Sequence, residues 1–165
     1  YEKLEHLLDF TTSISLIALE FNDKMQETIA SNALEFQKRE YKQGDIAGFD
    51  VVIIAVDDIP LQAAIFSESK NHRCLCNAVD STDYCDFIFP SYIKNGDLTI
   101  AVSTSGASPA MAKQLRAYIQ KLIPSDVGEF LKEMRQLRVT IPKGKERMKM
   151  LEERVKNYIE SWSKR

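Results

Sequence analysis

The chain has 165 residues, of which 44% are hydrophobic and 28% are charged. This composition is typical of a folded globular chain and argues against a disordered one. Its 22 basic residues nearly balance its 24 acidic residues, for a net charge of -2, whereas general nucleic-acid binders are usually basic. The longest apolar run, 51–56, is far shorter than the ~20 residues that cross a bilayer. We therefore predict no nucleic-acid partner and no membrane partner.

Three cysteines, Cys74, Cys76 and Cys85, make an odd count. No basic-then-apolar signal pattern opens the chain, so we expect a cytoplasmic protein with reduced thiols. Neither histidine lies at metal-ligand spacing from the cysteines. We therefore predict buried strand thiols rather than a metal site.

Predicted helices and short apolar strands alternate through the first half of the chain. The strongest strand signal is the run Val-Val-Ile-Ile-Ala at 51–55. Asn22 is placed to cap one helix, and Asp58 and Pro60 are typical of the start of another. In chain order we predict a helix over 1–10, a strand over 13–19, a helix over 22–31, strands over 34–38 and 51–55, a helix over 59–70 and a strand over 74–78. Continuous apolar strands between helices indicate an α/β fold with a parallel sheet covered on both faces.

The second half of the chain has a different pattern. In chain order we predict strands over 87–90 and 98–103 and helices over 109–122, 126–137 and 145–163. An Asn-Gly pair at 95–96 predicts the turn between the two strands. Ser108 is a natural N-cap and Pro109 a natural first residue for the helix that follows. The last helix carries one predicted apolar stripe, formed by Met148, Leu151, Val155, Tyr158 and Ile159.

Acidic side chains follow three of the predicted strands. In an open parallel sheet, ligands bind beyond the carboxyl ends of the strands. Glu20 is placed there to take the ribose hydroxyls of an NAD adenosine, or it is a solvated acid at a helix start. Asp57 and Asp58 follow the next strand, where the alternative is a charge pair at a helix N-terminus. Asp80 is placed to act as a general base if it is partly desolvated, or it is an ordinary turn residue.

A loop rich in small hydroxyl residues joins a predicted strand to a predicted helix, reading Ser-Thr-Ser-Gly-Ala-Ser-Pro at 103–109. Such residues around a glycine leave backbone N–H groups open to an anion. Lys113 and Arg116 follow within the helix. The pattern favours an anionic ligand, and the alternative is a well-capped helix start.

Segments in the middle of the chain resemble one known family, that of precorrin-2 dehydrogenase and sirohydrochlorin ferrochelatase. Residues 53–58 resemble its strand ending in Ala-Thr-Asp-Asp. Residues 76–80 and 85–90 resemble its Asn-Val-Val-Asp and Phe-Ile-Phe-Pro elements. Residues 98–110 resemble its Ser-Thr-Gly-Gly-Ala-Ser-Pro signature. A weaker resemblance extends over the whole chain.

The resemblance implies a fold and a reaction. The fold is a Rossmann-like parallel sheet, here N-terminally incomplete, followed by a small α+β dimerisation region and a helical tail. We map these parts to 1–82, 83–112 and 113–165. The implied reaction is the NAD⁺-dependent oxidation of precorrin-2, a tetrapyrrole, to sirohydrochlorin in sirohaem biosynthesis. NAD is the implied cofactor and a homodimer the implied assembly, and some family members also insert Fe²⁺ as a substrate.

The resemblance also assigns roles to individual residues. The catalytic carboxylate is Asp80, which removes a proton while a hydride leaves carbon for the nicotinamide. Because the substrate carries many carboxylates, we predict that the hydroxyl-rich loop and the two cations after it anchor them. The predicted cofactor-binding residues are Glu20, Val56, Asp57 and Asp58. The predicted substrate-binding residues are Asn77, Ser103, Thr104, Ser105, Gly106, Ser108, Lys113 and Arg116, and no metal ligand is predicted.

The chain departs from the family pattern at several positions. Val56 stands where Thr is usual, Gln62 stands near a usual Asn, and Ser105 replaces the first Gly of Gly-Gly. Family members begin with a strand and a Gly-rich turn that holds the NAD pyrophosphate, and neither precedes the first predicted helix. We therefore expect the natural polypeptide to extend about 25–30 residues upstream. Without that strand, we expect two open strand edges and a gap in the core.

Two other functions remain open from these residues. One is a chelatase that works in the same cleft without the Gly-rich turn and takes Fe²⁺ as its substrate. The other is a degenerate, non-catalytic dimer that binds a tetrapyrrole or a nucleotide. The missing turn and Val56 favour the second alternative, whereas Asp80 and the Ser-Gly-Ala-Ser-Pro match argue for an enzyme.

Overall fold

The computed structural model describes residues 1–79 and 81–163, and the chain divides into two compact units, Tyr1–Ile88 and Phe89–Arg165. Helices alternate with parallel strands in the first unit, which confirms the predicted α/β class. Its elements are α1 (Glu2–Leu8), β1 (Ser15–Ala18), α2 (Asp23–Ser31), β2 (Glu35–Lys38), β3 (Val51–Ile54), α3 (Ile59–His72), β4 (Leu75–Ala78) and a 3₁₀ turn (Thr82–Tyr84). The second unit contains β5 (Ser91–Asn95), β6 (Leu98–Val102), α4 (Pro109–Leu122), α5 (Val127–Thr140) and α6 (Lys145–Trp162).

The strands of the first unit form two separate parallel pairs. β1 pairs with β2, with Ser15 opposite Glu35, and β3 pairs with β4, with Val51 opposite Leu75. Across the described ranges these pairs do not join into one sheet. β1 and β3 therefore each keep one edge without a strand partner in the described ranges.

Helix starts follow the predicted capping residues closely. Asn22 Oδ1 accepts a hydrogen bond from the Met25 N–H at 2.9 Å, which satisfies a free donor in the first turn of α2. Asp58 Oδ1 does the same for the Leu61 N–H at 3.0 Å in α3. Such a cap typically contributes ~1 kcal/mol to stability.

The core of the first unit consists of two apolar clusters. One joins α1, α2 and the start of β2 through buried Leu4, Ile29 and Leu34. The other packs α3 on the β3–β4 pair and contains Ile46, Ile54, Ile65, Cys76 and Ala78. Each parallel pair therefore has its own apolar support, whereas Glu20 and Asp57, just beyond the carboxyl ends of β1 and β3, are exposed.

The second unit begins with an antiparallel hairpin, and here one strand prediction is wrong. Residues 87–90 are irregular, and β5 begins at Ser91 instead. Pro90 lacks a backbone N–H and cannot donate to a strand ladder, so pairing starts after it, with Ser91 opposite Val102. The predicted turn is present, because Gly96 has a positive φ of 57° between the paired residues Asn95 and Leu98.

The helical tail is held by contacts between α5 and α6. The rings of Phe130 and Tyr158 stack with centroids 3.8 Å apart, and Arg154 forms an ion pair with Glu133. Leu151 of the predicted α6 stripe is buried, whereas Met148 and Ile159 remain largely exposed. Among the helices that the structure describes, none is long and apolar enough to cross a membrane.

Candidate functional site

Free carboxylates lie after β1 and after β3. Glu20 and Asp57 are exposed, and neither side chain makes a hydrogen bond or ion pair with another described residue. Asp58 is different, because its carboxylate caps α3 through the Leu61 N–H. Glu20 and Asp57 can therefore accept hydrogen bonds from ligand hydroxyls, whereas Asp58 acts as a helix-terminal acid.

The turn between β3 and α3 is fixed by a buried amide. Gln62 Nε2 donates to the Val56 carbonyl at 2.6 Å, and the Gln62 backbone N–H donates to the Asp58 carbonyl at 2.9 Å. The Gln62 side chain is almost fully buried. Val56 itself is partly exposed and presents an apolar side chain where Thr would offer a hydroxyl. The cofactor role predicted for Val56 therefore rests on its backbone and its shape.

Asn77 lies in β4 with only 6% of its surface exposed. Its Nδ2 donates to the Phe87 carbonyl at 2.8 Å and to Cys85 Sγ at 3.5 Å. The predicted substrate-binding amide is thus directed at the chain's own backbone. The predicted catalytic residue, Asp80, lies outside the described residues, and its role stays a prediction.

An ion pair that the sequence analysis did not find lies beside β4. Asp86 accepts hydrogen bonds from Lys70 Nζ and from the Cys76 N–H at 2.9 Å. These two donors, the lysine first, hold the pKa of the Asp86 carboxyl below its ordinary value. The partners are 16 and 10 residues apart, so no local spacing could have indicated them.

The predicted burial of two thiols is confirmed, whereas Cys85 is only half-buried. Cys74 and Cys76 are buried, and burial raises the pKa of the Cys76 thiol to about 11. Cys85 Sγ donates to the Ser81 carbonyl at 3.0 Å and to the Ala78 carbonyl at 3.2 Å. In the part of the chain that the structure describes, no group of three or more metal-ligating side chains is found.

A second unpredicted cluster closes the loop after β2. Glu68 in α3 accepts hydrogen bonds from the Tyr41 hydroxyl at 2.8 Å and the Gly44 N–H at 2.6 Å. Burial, followed by this bond, raises the pKa of Tyr41. Arg39 donates hydrogen bonds from Nη1 and Nη2 to the two carboxylate oxygens of Asp45. This pairing lowers the pKa of Asp45. These polar groups form hydrogen bonds with one another, so they stabilise the loop rather than bind a ligand.

The hydroxyl-rich loop of the second unit is folded by its own side chains. Ser103 Oγ accepts from the Ser105 N–H at 3.1 Å, and Thr104 Oγ1 accepts from the Ser108 N–H at 3.1 Å. Ser108 Oγ in turn accepts from the Met111 N–H at 3.2 Å, the predicted cap of α4. Three of the predicted binding hydroxyls therefore already have backbone partners.

The middle of this loop has left-handed backbone conformation. Ser105 has a φ of 51° and Gly106 a φ of 83°. A positive φ is routine for glycine and costly for serine, which accounts for the family's Gly-Gly at this place. The Ser105 hydroxyl and the Gly106 N–H are exposed and have no partner within the described ranges. They are the groups of the loop that remain available to an anion.

The two cationic side chains of α4, Lys113 and Arg116, differ in their hydrogen bonding. Lys113 is exposed and forms no hydrogen bond or ion pair with another described residue. Arg116 Nη1 donates to Gln120 Oε1 at 2.6 Å, one helical turn further on. Both cations belong to the second unit, as does the loop, whereas Glu20 and Asp57 belong to the first.

An apolar stripe runs along α4 at helical spacing and is exposed to solvent. The exposed fractions of its four side chains are 59%, 42%, 62% and 55%, for Met111, Leu115, Tyr118 and Leu122 respectively. A surface patch of large apolar side chains in line marks an interaction site more often than a plain solvent face. The local sequence predicted the helix. Only the packing of α4 within the second unit shows which of its faces is exposed.

Comparison with known proteins gave matches along most of the chain. A family described as putative NAD(P)-binding matches residues 1–91, and one described as sirohaem biosynthesis protein central matches residues 95–122. A siroheme synthase of Methylococcus capsulatus is 36% identical over 126 residues, covering 76% of this chain and 27% of the relative. A siroheme synthase of Pseudomonas fluorescens is 32% identical, covering 74% of this chain and 26% of the relative. The chain thus spans about a quarter of the length of these relatives.

The fold is similar to that of one solved enzyme. A structure titled SirC, precorrin-2 dehydrogenase, superposes with a TM-score of 0.75 and 19% sequence identity, covering 96% of this chain and 80% of that chain. At this identity the likeness establishes the fold alone.

Proposed function

This chain belongs to the family described as putative NAD(P)-binding, and we propose that it oxidises precorrin-2 to sirohydrochlorin with NAD⁺. The observation that carries the proposal is the succession of two family matches on one chain, NAD(P)-binding over 1–91 and sirohaem biosynthesis over 95–122. A dinucleotide fold joined to a sirohaem-specific region is what a dehydrogenase of that tetrapyrrole requires. The name of the structural neighbour points to the same reaction.

The first unit suits part of the cofactor. Glu20 after β1 and Asp57 after β3 are exposed carboxylates, and a carboxylate at a strand end suits the ribose hydroxyls of NAD. Bound NAD⁺ supplies the hydride acceptor. The pyrophosphate needs open backbone N–H groups, commonly from a Gly-rich turn, and the first glycine of this chain is Gly44. The residues present therefore suit the ribose contacts, and no glycine precedes Gly44 to form such a turn for the pyrophosphate.

The proton of the reaction goes to Asp80 in this proposal. Oxidation of a carbon–carbon single bond removes one hydride and one proton, so a base must accompany the hydride acceptor. Asp80 follows β4 directly in the chain and closes the match to the family's Asn-Val-Val-Asp element. A carboxylate there can take the proton and release it to water, which balances the reaction.

The carboxylates of the substrate have their proposed partners in the second unit. The exposed Lys113 ammonium and the Arg116 guanidinium provide positive charge. The Gly106 N–H and the Ser105 hydroxyl provide uncharged donors beside the N-terminus of α4. Fe²⁺ insertion into the product is a second proposed step, with Fe²⁺ as substrate, because relatives that share this region are named siroheme synthases.

We also propose a homodimer that uses the apolar stripe of α4. A helix with Met111, Leu115, Tyr118 and Leu122 exposed in one line can pack against its own copy around a two-fold axis. The stripe lies inside the segment that matches the sirohaem biosynthesis family. We place the enzyme in the cytoplasm, where thiols such as those of Cys74 and Cys76 stay reduced.

The direct test of the proposed function is turnover of precorrin-2 by the protein. Purified protein is mixed with precorrin-2 and NAD⁺, and the absorbance of NADH and sirohydrochlorin is followed. In a parallel reaction, sirohydrochlorin and Fe²⁺ are supplied, and sirohaem formation is compared with a reaction lacking protein. NADH formation supports the dehydrogenase. Sirohaem formation from sirohydrochlorin without any NAD⁺ reduction would instead indicate a chelatase. Formation of neither NADH nor sirohaem would indicate a binding protein without catalytic activity.

A further inference from the structure

We propose that Asp86 is a positioning residue for the catalytic segment, acting through a clasp formed by Lys70, Asn77, Cys85 and Asp86. The clasp binds residues 85–87 back onto β4. This inference rests on the proposed function, because it assumes that residue 80 in that stretch carries the base. It adds Lys70, Cys85 and Asp86, to which no sequence pattern gave a role in the reaction.

Asp86 completes the outer edge of β4. Its backbone N–H donates to the Cys76 carbonyl at 2.7 Å, and its Oδ2 accepts from the Cys76 N–H at 2.9 Å. Both backbone groups of Cys76 on that edge are thus satisfied by one residue, as a neighbouring strand would satisfy them. The chain after the 3₁₀ turn is therefore bound back to β4 at a single defined register.

Lys70 ties the same carboxylate to α3. Its ammonium donates to Asp86 Oδ1 and lies 3.8 Å from the centroid of the Phe66 ring. Charge-assisted hydrogen bonds are stronger and more directional than neutral ones. Asp86 is consequently held from two elements, α3 and β4, and its own position in the unit is fixed.

Asn77 and Cys85 hold the remaining corners of the clasp. Asn77 Nδ2 donates to the Phe87 carbonyl at 2.8 Å, and Asn77 and Cys85 form an isolated antiparallel bridge. Cys85 Sγ donates to the Ser81 carbonyl at 3.0 Å. These bonds fix the chain just beyond residue 80 without any ligand.

The chain just before residue 80 is fixed as well. The Val79 N–H donates to the Ile54 carbonyl of β3 at 2.8 Å. Both sequence neighbours of residue 80, Val79 and Ser81, are thus anchored to the first unit. Misplacing a catalytic group by about 1 Å can cost as much as 100-fold in rate, so loss of the clasp should reduce turnover more than it reduces stability.

The experiment compares Asp86→Asn with a matched control, Asp45→Asn, in the natural protein. Both aspartates pair with a cation and accept a backbone N–H in the same unit, but Asp45 holds the loop after β2 instead. The amide of Asp86→Asn cannot accept from both Lys70 and Cys76. We expect kcat to fall about tenfold or more. The KM for NAD⁺ should stay unchanged, because the carboxylates proposed to bind NAD, those of Glu20 and Asp57, follow β1 and β3 instead. Asp45→Asn should leave kcat unchanged at a similar loss of thermal stability.

Two further variants make the outcomes separable. Lys70→Met keeps the side-chain stem over Phe66 and removes the charge, and it should lower kcat in the same direction as Asp86→Asn. Asp80→Asn should abolish turnover. If Asp80→Asn is inactive while Asp86→Asn keeps the kcat of Asp45→Asn, the clasp proposal is overturned and the proposed function stands. If Asp80→Asn turns over normally, the proposed base is wrong, and the clasp has nothing to position.

Discussion

The two segments that carry the proposed chemistry are held in different ways. The segment after β4 is fixed by residues from elsewhere in the first unit, chiefly the buried Asn77 amide and the Lys70–Asp86 pair. The loop after β6 is fixed by itself, because the Ser103 and Thr104 hydroxyls accept from N–H groups two and four residues further along. The first segment therefore depends on the fold around it, whereas the second folds on local bonds.

Because of this difference, the two segments should not tolerate substitutions equally well. A change to a distant, buried partner releases the first segment and leaves a polar group without a partner, which is costly. A change to one hydroxyl in the second loop removes one of several short-range bonds that water can replace. The substitutions below test this contrast, and they run from the largest expected effect to the smallest.

Asn77→Ala should give the largest loss of stability. It leaves the Phe87 carbonyl without its buried donor, so we expect a loss of about 2–3 kcal/mol in the free energy of unfolding. Ser103→Ala, in the exposed loop, is the control and should cost about 0.5 kcal/mol. Urea unfolding of both variants checks the pair, and equal losses would erase the contrast between the two segments.

Ser108→Ala tests the helix cap formed by the second loop. The Ser108 side chain caps α4 by accepting from the Met111 N–H, and loss of such a cap costs about 1 kcal/mol. Ser108→Asp keeps an acceptor and a favourable charge at the helix N-terminus, so its stability should stay near that of the natural protein. The free energies of unfolding of the two variants are compared. Identical values for Ser108→Ala and Ser108→Asp would show that the Ser108 cap does not stabilise α4.

Ser105→Gly should stabilise the protein. Ser105 has a left-handed φ of 51°, and glycine removes the steric cost at a gain of about 0.5–1 kcal/mol after its larger unfolded-state entropy is included. Ser103→Gly, where φ is not positive, should instead destabilise. Thermal unfolding of both variants measures the sign. A lower melting temperature for Ser105→Gly would mean that its side chain does more for the loop than the observed bonds indicate.

Acid should weaken the clasp by a small amount. The pKa of Asp86 lies below its ordinary value because of Lys70 and the Cys76 N–H. A lowered folded-state pKa means that the stabilisation is present at neutral pH and is lost as pH falls through that pKa. We expect Lys70→Met to reduce the pH dependence of unfolding free energy between about pH 5 and about pH 2. An unchanged pH dependence in that variant would show that the ion pair contributes nothing.

The sequence predicted the parts of the fold that depend on neighbouring residues. Asn22, Asp58 and Ser108 cap the helices where their patterns indicated, and the apolar runs of β1 and β3 form parallel strands. A cap or a strand run is decided within a few residues, so local pattern was sufficient. The strand expected at 87–90 failed because its apolar residues suited a strand while Pro90 set where pairing begins.

The candidate site was predictable only in part, for the same reason. Glu20, Asp57 and the hydroxyl-rich loop follow from strand ends and a turn motif. Lys70 and Asp86 meet only after α3 and β4 pack together, and nothing in their spacing indicates the pair. The hydrogen bond from the Asn77 amide to the Phe87 carbonyl was likewise not predicted, because only the fold brings these two groups together.

The measurement that tests the central claim most directly is NADH formation from precorrin-2 and NAD⁺ by the natural protein and by its Asp80→Ala variant. NAD⁺ binding is measured in parallel. The account predicts that Asp80→Ala binds NAD⁺ as the natural protein does and forms no NADH above the rate without protein. Normal NADH formation by Asp80→Ala would contradict it.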